Sequence, residues 1–425
     1  MTKSLSPEKY EYYVDALKSE LVPAMGCTEP IAIAYAAAKA REVLGAMPER
    51  CEIYVSGNII KNTKSVVVPH TGGMRGIKTA LIAGLVSNKA DAMLEVLSHL
   101  TDEDIPTMRE VADTMPVTVA LAESDLPFDI GIHTYHGDDH AYVRIIERHT
   151  NIVKIEKNGE TVFVGEATKK EEITRRELSV EDIVRFADEC DLDDVREVLK
   201  RQIDCNMAIA NEGLTGNWGA SVGKVYLESY LPDLSVRAKA YAAAGSDARM
   251  NGCELPVIIN SGSGNQGMTA SIPVIIYAKE LGVCEDKLYR ALLVSNLITI
   301  HIKHDIGTLS AYCGAVAAGA SAGCGIAYLY GGGFSAIAHT LVNALAIDSG
   351  LICDGAKASC AAKIATAVEN GILGYNMYRM GKQFVGGDGI VKKGVENTID
   401  SVTRLARDGM AVTDREILAI MLEEK

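Results

Sequence analysis

Apolar residues first recur at helical spacing and then change to the spacing of strands. Residues 7–21 place tyrosine, alanine and leucine side chains on one face with charged residues opposite, which predicts an amphipathic helix. A second helix is predicted from Pro30, because proline suits the first helical turn. Over residues 51–68 apolar positions either alternate with polar ones or form short continuous runs, and many side chains are β-branched. These residues are predicted to form strands. Residues 117–167 add at least four more strand-like segments.

The second half of the chain has a different pattern. Residues 167–204 are densely charged and predict a linker that becomes amphipathic helices. Strand patterns are rare after Leu178, and helical runs with glycine-rich interruptions follow to the end. The sequence therefore predicts an α+β protein, with an N-terminal domain of helices and a β-sheet over residues 1–178. A mostly helical C-terminal domain is predicted over residues 179–425.

One long stretch without charge resembles a membrane span. No Asp, Glu, Lys or Arg occurs between Asp305 and Asp348. However, Gly, Ala and Ser dominate residues 306–333, whereas a spanning helix would carry more large apolar residues. The segment is therefore predicted to form closely packed buried helices and no membrane contact. Such helices would also suit the interface of a homo-oligomer, most simply a dimer.

Composition and charge narrow the function classes. The chain has 425 residues, and 42 Lys and Arg against 56 Asp and Glu give a formal charge of −14. This charge repels phosphate backbones and anionic lipids, so nucleic acid is excluded as a partner. The first residues lack the charged, apolar and small-residue order of a signal peptide. We therefore expect a cytoplasmic protein whose ten cysteines are thiols or ligands.

Cysteines are concentrated in the small-residue region. Cys353 and Cys360 are seven positions apart, which on a helix places them on one face, and Cys313 precedes Cys353 by forty positions. No CxxC pair is present, so the spacing matches neither a zinc finger nor a bacterial ferredoxin. The group is consistent with a soft-metal site. Each cysteine by itself is also well explained as a small buried apolar residue.

Two turns present polar groups beside predicted helices. One turn places Cys27, Thr28 and Glu29 at the start of the second helix. Free N–H groups and the helix dipole there would lower the pKa of a thiol and attract the carboxylate of a substrate. The other, SGSGNQG at residues 261–267, exposes backbone amides and side-chain amides that suit a small ligand. A third glycine-rich turn, HTGGMRG at residues 70–76, is predicted to be a plain loop because it lacks a phosphate-binding motif.

Four histidines lie close together in the sequence. Those at 133 and 136 would point to opposite faces of a strand, and Gly137 with the aspartates after it predicts an exposed hairpin turn. Solvated surface histidines are therefore favoured over a metal site. The four residues are His133, His136, His140 and His149.

Five motifs in a fixed order cover essentially the whole chain. They are GCTEP at 26–30, SDARM at 246–250, NSGSGNQG at 260–267, LSAYCG at 309–314 and ICDGAKASC at 352–360. Together they resemble the L-cysteine desulfidase family, which is similar to the α subunit of iron–sulfur L-serine dehydratases. The resemblance implies an oxygen-sensitive enzyme with a 4Fe-4S cluster, independent of pyridoxal phosphate, that splits L-cysteine into hydrogen sulfide, pyruvate and ammonia.

The resemblance also implies the cluster ligands. Three cysteines hold the cluster and leave one iron open for substrate, and the matching positions are Cys313, Cys353 and Cys360. The helical domain would thus be the cluster-binding domain. The last two ligands are closer in sequence than in the dehydratases, so Cys27 or Cys324 is an alternative to Cys360.

Candidates for the remaining roles follow from these motifs. Cys27, Lys303 and His304 are candidate bases for the proton on the α-carbon of the substrate. The predicted substrate-binding residues lie in or beside the same turns. The amide-rich turn and a basic side chain are expected to bind the α-carboxylate of the substrate. They are Thr28, Glu29, Arg249, Ser261, Ser263, Asn265, Gln266 and Lys357.

Other function classes remain open from sequence alone. L-serine dehydratase would present the same cluster to a hydroxyl leaving group. A non-catalytic amino-acid or metal-binding protein would keep the fold without turnover, and a zinc-stabilised structural protein would hold a different metal. Turnover and metal analysis distinguish these alternatives.

Overall fold

A six-stranded mixed sheet organises the first half of the chain in the computed structural model, which describes residues 5–166, 178–307 and 309–423. Its strand order is β3-β2-β4-β5-β6-β7, and β2 and β3 are parallel while the other pairs are antiparallel. A separate two-stranded sheet pairs β1 with β8. The strands are β1 Pro23–Met25, β2 Arg50–Val55, β3 Val117–Leu121, β4 Asp129–His136, β5 Asp139–Ile146, β6 Ile152–Lys157, β7 Glu160–Val164 and β8 Pro256–Ile258.

Sixteen α-helices complete the described part of the chain. In the first half they are α1 Pro7–Glu20, α2 Thr28–Leu44, α3 Gly57–Thr63, α4 Gly76–Ser87 and α5 Ile105–Thr114. In the second half they are α6 Val180–Glu189, α7 Arg196–Thr215, α8 Val222–Ser229, α9 Leu234–Met250, α10 Gly264–Leu281, α11 Glu285–Ile306, α12 Gly314–Leu329, α13 Phe334–Asp348, α14 Cys360–Arg379, α15 Val395–Arg404 and α16 Ala411–Leu422. The predicted α+β fold class is confirmed.

Local signals place the first two helices. Ser6 caps α1 by accepting a hydrogen bond from the Lys9 amide, and Pro7 occupies the first helical position. Helix α2 ends at Gly45, whose φ of 86° suits a residue without a Cβ. Helix α2 is almost fully buried because it packs on the inner face of β4 and β5.

Part of the strand prediction for residues 51–68 is wrong. β2 forms as expected, but residues 57–63 are the helix α3, and Val67 makes only an isolated bridge with Arg75. A short apolar run fits either element by periodicity, and here packing against α16 favours the helix.

The predicted hairpin at Gly137 is confirmed, since β4 and β5 pair from Asp129↔Ile146 to His136↔Asp139. The expectation of solvated histidines is wrong for His149, which is buried against Phe128 with ring centroids 4.8 Å apart. Burial lowers the pKa of His149. The residue lies beyond the hairpin, where the chain turns back into the core, so strand periodicity did not apply to it.

Small residues let the helices of the second half approach closely. α12 packs on α10, α11, α13 and α14. A Cβ added to Gly319 would lie 2.4 Å from the Ala367 backbone, and one added to Gly323 would lie 2.3 Å from Gly371 O. The predicted buried helices are thus confirmed, and no described helix is long and apolar enough to cross a membrane. Because α12 is internal, it offers no dimer interface, and the expected dimer stays a prediction.

The two halves of the chain share several contacts. β1 pairs with β8, α1 packs on α11, and α16 returns from the C-terminus to pack on α3. The predicted boundary at Leu178 stays a prediction, and the charged linker at residues 167–177 lies outside the described residues. These contacts bring the beginning of the chain against the cysteine-rich region.

A buried carboxylate at the end of α13 predicts a pH effect on stability. Asp348 is 7% exposed, its Oδ2 atom lacks a hydrogen-bond partner among the described residues, and burial raises its pKa to about 6. The carboxyl group of Asp348 therefore binds its proton more tightly in the folded chain than in the unfolded chain. The protonated carboxyl favours the folded state at low pH, and this contribution to the free energy of unfolding is lost as pH rises through about 6. We expect Asp348→Asn to raise the free energy of unfolding at pH 8 by about 2 kcal/mol.

Urea denaturation at pH 5 and pH 8 measures this effect. The gain from Asp348→Asn should be smaller at pH 5, where more of the wild-type carboxyl is protonated. Asp113→Asn, at an exposed position, is the control. An equal gain at both pH values would show that ionisation of Asp348 is not the cause.

Candidate active site

A pocket of about 100 Å³ lies where the N-terminal segments meet the helical half of the chain. Its walls come from the start of α2, the end of α3, the end of α9, the turn before α10, and the segments around the three predicted cluster cysteines. Most predicted site residues line it, namely Cys27, Glu29, Arg249, Ser263, Asn265, Gln266, Lys303, Cys313, Cys353 and Cys360.

Backbone pairing holds two of the cysteines side by side. Tyr312 and Ile352 form an antiparallel bridge, Cys313 N donates to Leu351 O at 3.1 Å, and Cys353 N donates to Ala311 O at 2.6 Å. In this register Cys313 and Cys353 are diagonal neighbours on one face of the bridge. The thirty-nine residues between them in the chain therefore do not separate them in space.

The third cysteine completes the group. Cys360 is the first residue of α14 and lines the same pocket. Burial, together with the neighbouring Cys353 and Cys360, raises the pKa of Cys313 to about 12. Within the described residues no three His, Cys, Asp or Glu side chains are already arranged to hold a single metal ion. The three thiols thus share a pocket without surrounding one ion.

The loop between Cys353 and Cys360 touches α3 through a glycine. Gly355 has a φ of 96°, and a Cβ there would lie 2.1 Å from Lys61 O. We expect Gly355→Ala to displace this loop, to cost more than about 1 kcal/mol of stability through the strained φ, and to lower the iron bound after anaerobic reconstitution. Gly350→Ala is the control, because a Cβ at Gly350 meets nothing within 4 Å. Equal iron content in both variants would contradict the expectation.

Buried polar atoms converge on Glu29, which also lines the pocket. The Glu29 carboxylate is 7% exposed and accepts hydrogen bonds from Cys27 Sγ at 3.1 Å and from Asn62 Nδ2 at 3.1 Å. Thr28 Oγ1 lies 3.1 Å from the same carboxylate and 3.0 Å from Gly262 O. This network joins the start of α2 to α3 and to the turn before α10.

A guanidinium faces the pocket with unused donors. Arg249 is 2% exposed and donates from Nη1 to Asn265 Oδ1 at 3.1 Å, whereas its Nε and Nη2 lack partners among the described residues. Gln266 Oε1 is likewise buried without a partner there. Gly264 makes room for Arg249, because a Cβ at that position would lie 2.5 Å from Nε. Unsatisfied buried donors of this kind suit an anionic ligand.

The candidate bases differ in environment. Lys303 is 4% exposed on α11, and burial lowers its pKa to about 8 although Cys353 and Cys313 oppose this shift. Cys27 precedes α2 as expected, but its pKa is raised, because burial and the adjacent Glu29 outweigh the favourable charge of Arg249. The expected lowering of the Cys27 pKa is therefore wrong.

Some predicted site residues lie outside the pocket. His304 is partly exposed and pairs with Asp305 at 3.1 Å, and Lys357 pairs with Asp354. Ser261 Oγ donates to Asn260 Oδ1 at 2.8 Å instead of facing the cavity. Thr28 contributes only through its hydrogen bonds to the pocket wall. Cys324, the alternative cluster ligand, donates to Ile337 O at 3.6 Å, away from the other thiols.

Sequence reasoning missed Asn62. The residue lines the pocket and contacts Glu29, which lies 33 positions earlier in the chain. No motif marks it, and the segment around it was predicted to be a strand. Only the docking of α3 beside α2 reveals the contact.

The fold and the site define an α+β protein whose thiol-lined pocket lies between its sheet-bearing and helical halves. The sequence model of the serine dehydratase alpha chain family matches residues 91–419. This chain therefore belongs to the serine dehydratase alpha chain family, which indicates a lyase.

Bacterial relatives match over nearly the full length. A UPF0597 protein of Desulfitobacterium hafniense is 57% identical over 98% of this chain and 97% of its own length. A UPF0597 protein of Lachnoclostridium phytofermentans is 50% identical over 97% of this chain and 100% of its own length. A third, from Finegoldia magna, is 48% identical over 97% of this chain and 99% of its own length. These relatives are thus similar in sequence to this chain across both its sheet-bearing and its helical halves.

Proposed function

We propose that the protein is an iron–sulfur-dependent L-cysteine desulfidase that works without pyridoxal phosphate. The observation that carries the proposal is the presence of three thiols in one pocket with an unsatisfied guanidinium and a buried carboxylate. Thiolates are the usual ligands of iron–sulfur clusters, and the two opposite charges match the carboxylate and ammonium of a free amino acid.

The residues fit a cluster by their chemistry. Cys313, Cys353 and Cys360 would hold it, and coordination as thiolates would offset the raised pKa of Cys313 and of Cys360. A bound 4Fe-4S cluster with three protein ligands supplies a thiophilic Lewis acid for the leaving sulfur. Pairing at the Tyr312–Ile352 bridge and contact with α3 fix the segments that carry these thiols.

Protein side chains account for substrate orientation. Arg249 Nε and Nη2 would bind the α-carboxylate in the two-pronged manner typical of guanidinium, with the amide of Gln266 beside them. Glu29, which lines the same pocket, would receive the α-ammonium group. An amino acid bound through both charged groups would keep its β-carbon and its leaving group inside the pocket that the three thiols also line.

The proton on the α-carbon needs a base in the pocket. Lys303 and Cys27 both line it, and burial favours Lys303 because a pKa of about 8 leaves a useful fraction of neutral amine. Loss of that proton together with hydrosulfide gives 2-aminoacrylate. Its imine tautomer then takes up one water and releases ammonia, so that cysteine and water yield pyruvate, ammonia and hydrogen sulfide in balance.

L-Serine dehydratase is the second candidate, because the matching family is described as the serine dehydratase alpha chain. Anaerobically reconstituted protein should be assayed separately with L-cysteine and L-serine, following sulfide and pyruvate. Equal amounts of sulfide and pyruvate from cysteine support the desulfidase. Pyruvate from serine alone supports the dehydratase, and amino-acid binding without any product supports a non-catalytic binding protein.

A further inference from the structure

Asn62 connects the N-terminal half of the chain to the proposed ammonium site. Its side chain is 5% exposed and its Nδ2 atom donates to Glu29 Oε1 at 3.1 Å. The other carboxylate oxygen, Oε2, accepts from Cys27 Sγ at 3.1 Å. Both oxygens of Glu29 are therefore directed by neighbours, one of which comes from α3.

Among the described residues Glu29 makes no ion pair, although the charge of Arg249, which lines the same pocket, acts on it at longer range. A buried carboxylate without a counter-ion is costly unless it is hydrogen-bonded or meets a cation. Asn62 and Cys27 supply the hydrogen bonds. A cation in direct contact with this carboxylate is what the ammonium group of a free amino acid would add.

Helix α3 is itself held in place on several sides. The buried Lys61 pairs with Asp414 of α16, and Gly57 lies against Leu418. On the other side, Gly355 approaches Lys61 O. Asn62 therefore has little freedom to move away from Glu29.

We propose that Asn62 is a positioning residue that holds the Glu29 carboxylate toward the pocket, so that the site selects substrates with a free α-ammonium group. The inference rests on the proposed function and deepens it. A thiol or hydroxy acid that lacks the ammonium group keeps the contact with Arg249 but gains nothing from Glu29. The pair Glu29–Asn62 thus determines the preference for α-amino acids over other short carboxylic acids.

Equilibrium binding tests the proposal on reconstituted protein kept under anaerobic conditions. L-Alanine is the first probe, because it carries both charges but no leaving group, and propionate is the second, because it lacks only the ammonium group. Titration calorimetry gives the affinity for each. Wild-type protein should prefer L-alanine, and Asn62→Ala should lower the affinity for L-alanine about 10-fold, the size expected for losing a hydrogen bond to a charged group. Propionate affinity should stay within about 2-fold.

Two further variants distinguish positioning from general damage. Asn58→Ala removes an asparagine one turn earlier on α3 that does not line the pocket, and it should leave both affinities unchanged. Glu29→Gln should abolish the preference for L-alanine, and adding Asn62→Ala to it should have no further effect, since the two residues act through one carboxylate.

The outcomes separate this inference from the proposed function. Three outcomes would each overturn the role of Asn62. The first is an equal loss of affinity for L-alanine and propionate in Asn62→Ala, and the second is an additive loss of affinity in the double variant. The third is a wild-type protein that binds both probes equally well. Turnover of L-cysteine is measured independently. If turnover is absent while the preference depends on Asn62, the desulfidase proposal fails and the ammonium site stands.

Discussion

Cys353→Ser should abolish sulfide release from L-cysteine and lower the bound iron. Cys353 lies in the segment between α13 and α14 and is held near Cys313 by the backbone bridge at Tyr312 and Ile352. Serine keeps the size of the side chain but replaces a soft thiolate with a poor ligand for iron. Substituting residues that only support metal ligands lowers metal affinity or activity about 10- to 100-fold. We therefore expect the rate of sulfide release to fall more than about 100-fold when a ligand itself is replaced.

Cys284→Ser provides the matched control for this substitution. Cys284 is exposed at the start of α11 and is remote from the pocket wall. Iron and sulfide should be measured per chain after anaerobic reconstitution, together with absorption near 400 nm, roughly where Cys-ligated clusters absorb, and with turnover. A Cys353→Ser protein that retains wild-type iron and wild-type sulfide release would refute the assignment of the pocket as the cluster site.

Asp414→Ala should cause the largest loss of stability. Lys61 is 1% exposed and pairs with Asp414, so removing the carboxylate leaves a buried ammonium without a partner. Breaking a buried pair in this way typically costs about 3–5 kcal/mol. The same change loosens α16 from α3, so we also expect weaker substrate binding through Asn62.

Urea denaturation followed by circular dichroism measures this loss. Asp204→Ala is the matched control, because Asp204 forms an exposed ion pair with Lys200 at 2.6 Å. Losing this exposed pair should lower the free energy of unfolding by at most about 1 kcal/mol. Lys61→Met combined with Asp414→Leu should recover much of the stability, since no buried charge remains. A loss below about 1 kcal/mol in Asp414→Ala would mean that water reaches Lys61 and screens the pair.

Much of the fold follows from local patterns that act within a few residues. Ser6 and Pro7 determine where α1 begins, and the polar turn at Gly137 produces the β4–β5 hairpin. The small residues of α12 indicate close helix packing, which the contacts of Gly319 and Gly323 confirm. These patterns were sufficient because caps, turns and steric size depend little on distant parts of the chain.

Other properties depend on parts of the chain that are far apart in sequence. A helix start alone would lower the pKa of Cys27, but burial beside Glu29 raises it. His149 is polar and follows a hairpin, yet it is buried against Phe128. Asn62 carries no motif, and its role depends entirely on how α3 docks beside α2.

The sequence by itself determined the α+β class, because periodicity, caps and residue type act locally, and its five motifs carried the resemblance that implied Cys313, Cys353 and Cys360 as ligands. The tertiary structure alone decided which polar groups meet in the pocket. It placed Asn62 on Glu29, left donors of Arg249 unsatisfied among the described residues, and turned Cys324, His304 and Lys357 away. Burial and long-range docking set those contacts, and neither is encoded in the spacing of residues along one element.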